Sequence, residues 1–280
     1  MTMERKILLT HCPDAKGLIS KITNICYKHQ LNIMRNDEFV DYENGHFFMR
    51  TELEGYFNDH TLLADLDDAL PQGSERRLVP AGNKRVVIMV TKEAHCLGDI
   101  LIKQFSGAMT LDIAAVVGNY DALEDLTMKF DIPFHCVSHE GLNRLEHEQK
   151  MAEIIDQYQP DYVILAKYMR ILSPNFVARF EQRLINIHHS FLPAFIGASP
   201  YRQAYERGVK MIGATAHFVT NELDEGPIIE QDVIHVNHVF SAEDMAKAGR
   251  DVERSVLSRA LNLVLEEKVF MYGNKTVVFK

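Results

Sequence analysis

The chain has 280 residues, 46% of them hydrophobic and 25% charged, the balance of an ordinary globular protein rather than a disordered one. Its formal net charge of −9 argues against a nucleic-acid binder and leaves any anionic ligand to be met by local positive groups. No apolar run approaches bilayer length, the opening residues hold no signal-peptide core, and the 4 cysteines form no CxxC pair, so a reduced cytoplasmic setting without a membrane partner is expected.

In chain order, Lys6 to Thr10 reads as a strand, and Gly17 to His29 as a helix with Leu18, Ile22, Ile25 and Cys26 at helical spacing. Two strand-like runs follow, Asn32 to Val40 and His46 to Leu53, joined through Asn44-Gly45, a hairpin signal. A helix over Asp59 to Leu70 and a short strand over Arg76 to Val79 complete a βαββαβ order, the ferredoxin-like arrangement. Residues 71–84 are rich in proline, glycine and charge, so a first domain over 1–80 is expected, with 81–84 ending a linker and a second domain over 85–280.

From Arg85 onward strands and helices alternate. Val86 to Val90, Leu111 to Val117, Asp161 to Ala166 and Leu184 to Ile187 read as buried strands of a mostly parallel sheet with helices on both faces. Met211 to Val219 and Ile228 to Val236 follow each other without a helix between, which adds an antiparallel part. A helix over Ala242 to Leu265 carries Met245, Val252, Val256, Ala260 and Val264 on one face.

Ligands of such sheets bind at the carboxyl ends of strands, which directs attention to the loops after Ala166, Ile187 and Val219. The first, Lys167 to Pro174, is apolar and aromatic with one arginine. The second, Asn186 to Gly197, starts with polar residues alternating with apolar ones, so Asn186 and His188 share a face. The third, Thr220 to Pro227, places Glu222, Asp224 and Glu225 on a turn, with His217 just before it. An amide, an imidazole and a carboxylate are what acyl transfer requires. The amide of Asn186 can stabilise an oxyanion, for about 10²–10³ in rate. His188 can move protons, for roughly 10²–10⁴, and a carboxylate orients it and favours its protonated form.

The segments Ala166 to Phe180, Asn186-Ile-His-His-Ser-Phe-Leu-Pro193, Ala214 to Val219 and Asp224-Glu-Gly-Pro-Ile228 resemble the formyltransferases that use formyltetrahydrofolate. That family's pattern is Asn-x-His, then Ser-x-Leu-Pro, then Asp-x-Gly-Pro, and the match covers about residues 85–280. The resemblance implies a Rossmann-like catalytic domain with Asn186, His188 and Asp224 as the catalytic trio. It implies a folate pocket from Tyr168, Met169, Arg170, Ile171 and Leu172, joined by His217 and Leu223.

Glycinamide ribonucleotide formyltransferases are similar here, but they follow the first strand with a glycine-rich phosphate loop. This chain has Thr91-Lys-Glu-Ala-His-Cys-Leu-Gly98 instead, and His189 where they place proline. Water is therefore the expected formyl acceptor, and transfer to a small amine is the alternative. The amino-terminal run Cys12-Pro-Asp-Ala-Lys-Gly-Leu18 with Leu31-Asn-Ile33 resembles an ACT domain, the ligand-sensing module of amino-acid metabolism. The two together resemble the formyltetrahydrofolate deformylase family. By that resemblance the chain hydrolyses 10-formyltetrahydrofolate to formate and tetrahydrofolate, supplying formate for purine synthesis, without metal or redox cofactor.

Plainer readings stand beside these. His188 and His189 read equally well, in isolation, as hydrogen-bonded strand-end residues. A zinc site using His217, His235 and His238 lacks cysteine or HExxH spacing, and His235 and His238 read as solvated. Arg170 is expected to act through its backbone. Asp14, Gly17 and Asn32 are the expected effector residues, with glycine or methionine as effector, although Asp14 also reads as a helix cap. Sheet-edge pairing of such modules makes a homo-oligomer the expectation.

Overall fold

The computed structural model describes residues 2–194 and 200–280, so the end of the loop that starts at Asn186 lies outside the described residues. The chain divides into two compact units. The first comprises Met1–Gly82, Glu266–Phe270 and Val277–Lys280, and the second Asn83–Leu265 and Met271–Thr276.

The first unit follows the expected βαββαβ order: β1 (Glu4–Pro13), α1 (Leu18–Lys28), β2 (Asn32–Asp41), β3 (His46–Gly55), α2 (Asp59–Ala69) and β4 (Glu75–Pro80). Its antiparallel sheet has the order β2-β3-β1-β4. One face of the sheet meets the helices through Leu8, Phe47, Met49, Leu53, Ile22, Leu62 and Leu66. The other face is covered too. Phe48 packs edge-on to Phe270 at 5.7 Å, and the buried Arg50 donates through Nη2 to the Glu266 carbonyl at 2.8 Å and through Nε to that of Glu267 at 3.0 Å. These contacts place Glu266–Phe270 with the first unit, where the sequence assigned every residue after 84 to the second.

Two local expectations change. Asp14 does not cap α1: the cap is Gly17, at φ 83° with no side-chain hydrogen bond, while the Asp14 amide donates to the Gly45 carbonyl at 2.8 Å. Asn32 pairs with Glu54, which lies opposite Arg5, whereas Asp14 follows Pro13 at the far end of β1. About nine strand residues at ~3.3 Å each separate those levels, so Asn32 does not join Asp14 and Gly17 in one site within a single chain.

The second unit runs β5 (Lys84–Val90), α3 (His95–Phe105), β6 (Leu111–Gly118), α4 (Glu124–Met128), β7 (Phe134–Cys136), α5 (Arg144–Gln157), β8 (Tyr162–Leu165), α6 (Pro174–Arg179), β9 (Leu184–His188), α7 (Pro200–Arg207), β10 (Met211–Phe218), β11 (Ile228–His235) and α8 (Ala242–Leu265). The sheet order is β11-β10-β9-β8-β5-β6-β7. Strands β5 to β9 pair in parallel, and β10 and β11 are antiparallel, the mixed sheet that the alternation predicts. Val86 to Val90 are fully buried, as a strand covered on both faces must be. A final hairpin, β12 (Val269–Tyr272) with β13 (Lys275–Val278), and the three-residue β7 are elements that the sequence pattern did not yield. No helix among the described residues is long and apolar enough to cross a membrane.

Candidate active site

β8 and β9 are neighbours in the sheet, so the loop after β8 and the carboxyl end of β9 come together at one edge of the fold. β9 sets the chemistry. Asn186 and His188, two apart, project to one side, and Asn186 lies opposite His217 of β10. Because β10 runs antiparallel, its end pairs with the start of β9, Phe218 opposite Ile185. The 219–227 loop folds back to bring Asp224 to His188, with the Phe218 amide donating to the Pro227 carbonyl at 2.9 Å. Gly226 makes that return possible, since a Cβ there would run into the Phe218 carbonyl. Asp224 itself turns the chain at φ 58°, a left-handed conformation that aspartate tolerates better than most residues.

The polar groups form one connected set. His188 Nδ1 lies 3.3 Å from Asp224 Oδ1, and both side chains are largely buried. His188 Nε2 is buried without a hydrogen-bond partner among the described residues. Burial alone would raise the Asp224 carboxyl, but the His188 hydrogen bond and the neighbouring imidazoles more than offset it, holding Asp224 below the ordinary carboxylate value. His217 Nδ1 sits 2.9 Å from the Phe218 carbonyl, to which it can only donate, so its Nε2 accepts from Asn186 Nδ2 at 3.2 Å. Burial lowers the His217 pKa, in keeping with this neutral tautomer.

A cavity of about 330 Å³ unites the predicted residues. Asn186, His188 and Asp224 line it together with Tyr168, Met169, Arg170, Ile171, Leu172, His217 and Leu223. The pocket residues divide by position. Tyr168 is buried in the core and its hydroxyl meets Met151 Sδ at 3.3 Å, while Met169, Ile171 and Leu223 stay about half exposed at the mouth. The Met169 amide donates to Thr91 Oγ1 at 3.0 Å, which fixes the loop to the end of β5. His235 and His238 are exposed, away from the cavity lining.

Comparison with known proteins follows the same division. Residues 84–261 match the formyl transferase family, and residues 6–70 match the ACT domain. A formyltetrahydrofolate deformylase of Escherichia coli (strain K12) is 69% identical over 277 residues, 99% of each chain. The chain belongs to the formyltetrahydrofolate deformylase family. The crystal structure of a formyltetrahydrofolate deformylase from Pseudomonas syringae pv. tomato superposes with a TM-score of 0.94 at 39% identity, covering 100% of this chain and 96% of that one. A glycinamide ribonucleotide transformylase from Symbiobacterium toebii matches 72% of this chain and 97% of its own, with a TM-score of 0.69 at 28% identity. The family thus combines a formyltransferase fold with an amino-terminal ACT domain, as the motifs imply.

The sequence reading gave no role to Lys167 or to Glu253 behind it, and took His189 only as the residue that stands where the transformylases place proline. Lys167 and His189 line the cavity. Lys167 is buried, has φ 63°, and places Nζ 3.2 Å from a carboxylate oxygen of fully buried Glu253. His95, Cys96 and Glu253 also bring metal-ligating atoms within 4.8 Å of one another, but the Lys167 ammonium already supplies the positive charge at that carboxylate, and burial pushes the Cys96 thiol up, away from the thiolate a metal needs.

Proposed function

We propose that the chain hydrolyses 10-formyltetrahydrofolate to formate and tetrahydrofolate, with Asn186, His188 and Asp224 as its catalytic residues. The observation that carries this reading is the convergence of the three side chains on one cavity whose mouth includes exposed Met169, Ile171 and Leu223. Tyr168 to Leu172, His217 and Leu223 hold the folate, the exposed Met169, Ile171 and Leu223 offering apolar surface to its ring system.

The steps follow from the hydrogen-bond directions. One Nδ2 hydrogen of Asn186 is engaged by His217, and the other donates to the formyl oxygen. Water adds to the formyl carbon, and the proton it loses passes to His188 Nε2, the ring nitrogen without a protein partner. The imidazolium formed is stabilised by ionised Asp224 across the 3.3 Å contact. Asn186 and the imidazolium stabilise the oxyanion, His188 returns its proton to N10, and the carbon–nitrogen bond breaks. N10 is attached to an aromatic ring and leaves more readily than an alkyl amine. The route asks nothing of a metal or redox cofactor, so dialysis against a chelator is expected to leave the rate unchanged.

The deciding assay supplies 10-formyltetrahydrofolate without any amine and follows formate. Steady release by the wild type, lost by about 10²-fold or more in His188→Ala and Asp224→Asn, is expected. Near-normal rates in both variants would remove these assignments. No formate from the wild type, with formyl transfer once an amine is added, would favour the formyltransferase alternative. The ACT unit is proposed to sense glycine or methionine and to pair into a homo-oligomer. Turnover with and without each amino acid tests the first, and sedimentation the second. A cytoplasmic enzyme feeding formate to purine synthesis completes the proposal.

A further inference from the structure

Behind the catalytic trio lies a second polar cluster that the hydrolytic steps above do not use. Its centre is Glu253 of α8, which has no exposed surface. Three groups saturate the carboxylate: His95 Nε2 donates at 2.7 Å, the Tyr201 hydroxyl at 2.6 Å, and Lys167 Nζ lies at 3.2 Å. Burial alone would raise this carboxyl, yet the His95 hydrogen bond, the Lys167 charge and the Tyr201 hydroxyl more than offset it and hold it at about 2. Gly249, one turn earlier on α8, leaves room for the Tyr201 ring, which any Cβ there would strike.

The cluster reaches the cavity through two side chains. Lys167 lines it directly, and His189 lines it with its ring 5.2 Å from that of His188 and 6.0 Å from that of Tyr201. Burial, and after it the Lys167 charge, lower His189 to about 4, so it is a neutral imidazole near pH 7. The wall therefore presents the ammonium of a buried ion pair beside a neutral ring. Of the nearby carboxylates, Glu253 is taken by three internal partners and Asp224 is engaged by His188, while Glu222 stands exposed at the cavity mouth. His95 belongs to the stretch after β5 where the related transformylases are expected to hold a phosphate, and here its ring turns inward onto Glu253 instead.

We propose that Lys167 and His189, held by Glu253, His95 and Tyr201, form a specificity-determining wall that denies amine acceptors access to the formyl carbon and leaves water as the nucleophile. An α-amino group has a pKa of about 8, so most of an amine acceptor reaches the site as a cation and meets the like charge of Lys167. Water is small and neutral and meets no such barrier. Lys167 and His189 set the selection, and Glu253, His95 and Tyr201 are positioning residues that act through them. This inference rests on the hydrolytic reading of the same site.

The test is product partitioning. Intact enzyme receives 10-formyltetrahydrofolate with rising glycinamide, and both formate and N-formylglycinamide are measured. The wild type is expected to yield formate throughout. His189→Pro, which installs the residue expected in the transformylases, and Lys167→Met, which removes the charge, are expected to raise the ratio of formylated amine to formate at least about tenfold. Lys167→Asn, which suits the left-handed backbone, replaces Lys167→Met if that protein does not fold. Unchanged partitioning in folded variants overturns the inference, as does amine formylation by the wild type at the variants' level. Folded variants that lose both reactions also overturn it, because the wall would then serve the chemistry itself. Absence of formate from the wild type without amine strikes instead at the hydrolytic reading.

Discussion

Asn186 and His217 face each other across β9 and β10, and the 3.2 Å contact between them gives the Asn186 amide a fixed direction. His217 can accept at Nε2 only because its Nδ1 is committed to the Phe218 carbonyl. The sequence placed His217 in the folate pocket, and the structure gives it this second task.

The two tasks separate kinetically. His217→Ala is expected to lower kcat about 10–100-fold, below the 10²–10³ associated with losing an oxyanion donor outright, while KM changes little. A raised KM with kcat within twofold of the wild type would make His217 a folate contact alone.

Gly226 governs whether Asp224 reaches His188. Gly226→Ala forces the new Cβ against the backbone of Phe218, which has no room to yield. Overpacking of this kind costs about 1–3 kcal/mol, or roughly 2–4 °C of Tm per kcal/mol at this size. Both the melting temperature and kcat are expected to fall. An unchanged kcat would show that the loop holds Asp224 without this close approach.

Glu253 ties stability to acid. A depressed carboxyl contributes its full stabilisation above its unfolded pKa and loses it as pH falls through the folded one, here from 4.5 to about 2. The shift corresponds to roughly 3 kcal/mol. Urea midpoints of the wild type and Glu253→Gln are expected to differ at neutral pH and to converge through that window. A constant gap would contradict the charge network.

His189 works in the next window up. Its folded pKa is lowered from 6.5 to about 4, so the unfolded chain binds the extra proton first and stability falls as pH drops between those values. His189→Asn is expected to flatten the wild-type slope of stability against pH across that range, measured by urea unfolding at fixed ionic strength. An unaltered slope would place the titration elsewhere, His217 being the other cavity imidazole whose pKa burial lowers.

The convergence of Asn186, His188 and Asp224 was legible because its signals are local. Alternation along one strand places Asn186 with His188, and the Asp-Glu-Gly-Pro turn announces a sharp return. Glu253 was not legible. On α8 it stands between Val252 and Arg254, as a solvated charge would, and its partners lie 52 to 158 positions away in sequence. The signal available was its place beside the buried face of α8, next to Val252 and one turn after Gly249. β7 is too short for periodicity to show. The terminal hairpin did carry a Gly273-Asn274 turn between apolar runs, a cue that the pattern of alternating strands and helices obscured.

Arg50 has a consequence for the order in which the molecule assembles. Its guanidinium is sealed inside the amino-terminal module by carbonyls of residues 216 and 217 positions further along. A ribosome-bound fragment ending near Gly82 would keep the Glu52 carboxylate 2.8 Å from Arg50 Nη1 but lack the two carbonyls that take its Nε and Nη2. The module that emerges first therefore receives its last segment, Glu266–Phe270, only at the end of synthesis, and a fragment cut near Gly82 would lack those two hydrogen bonds.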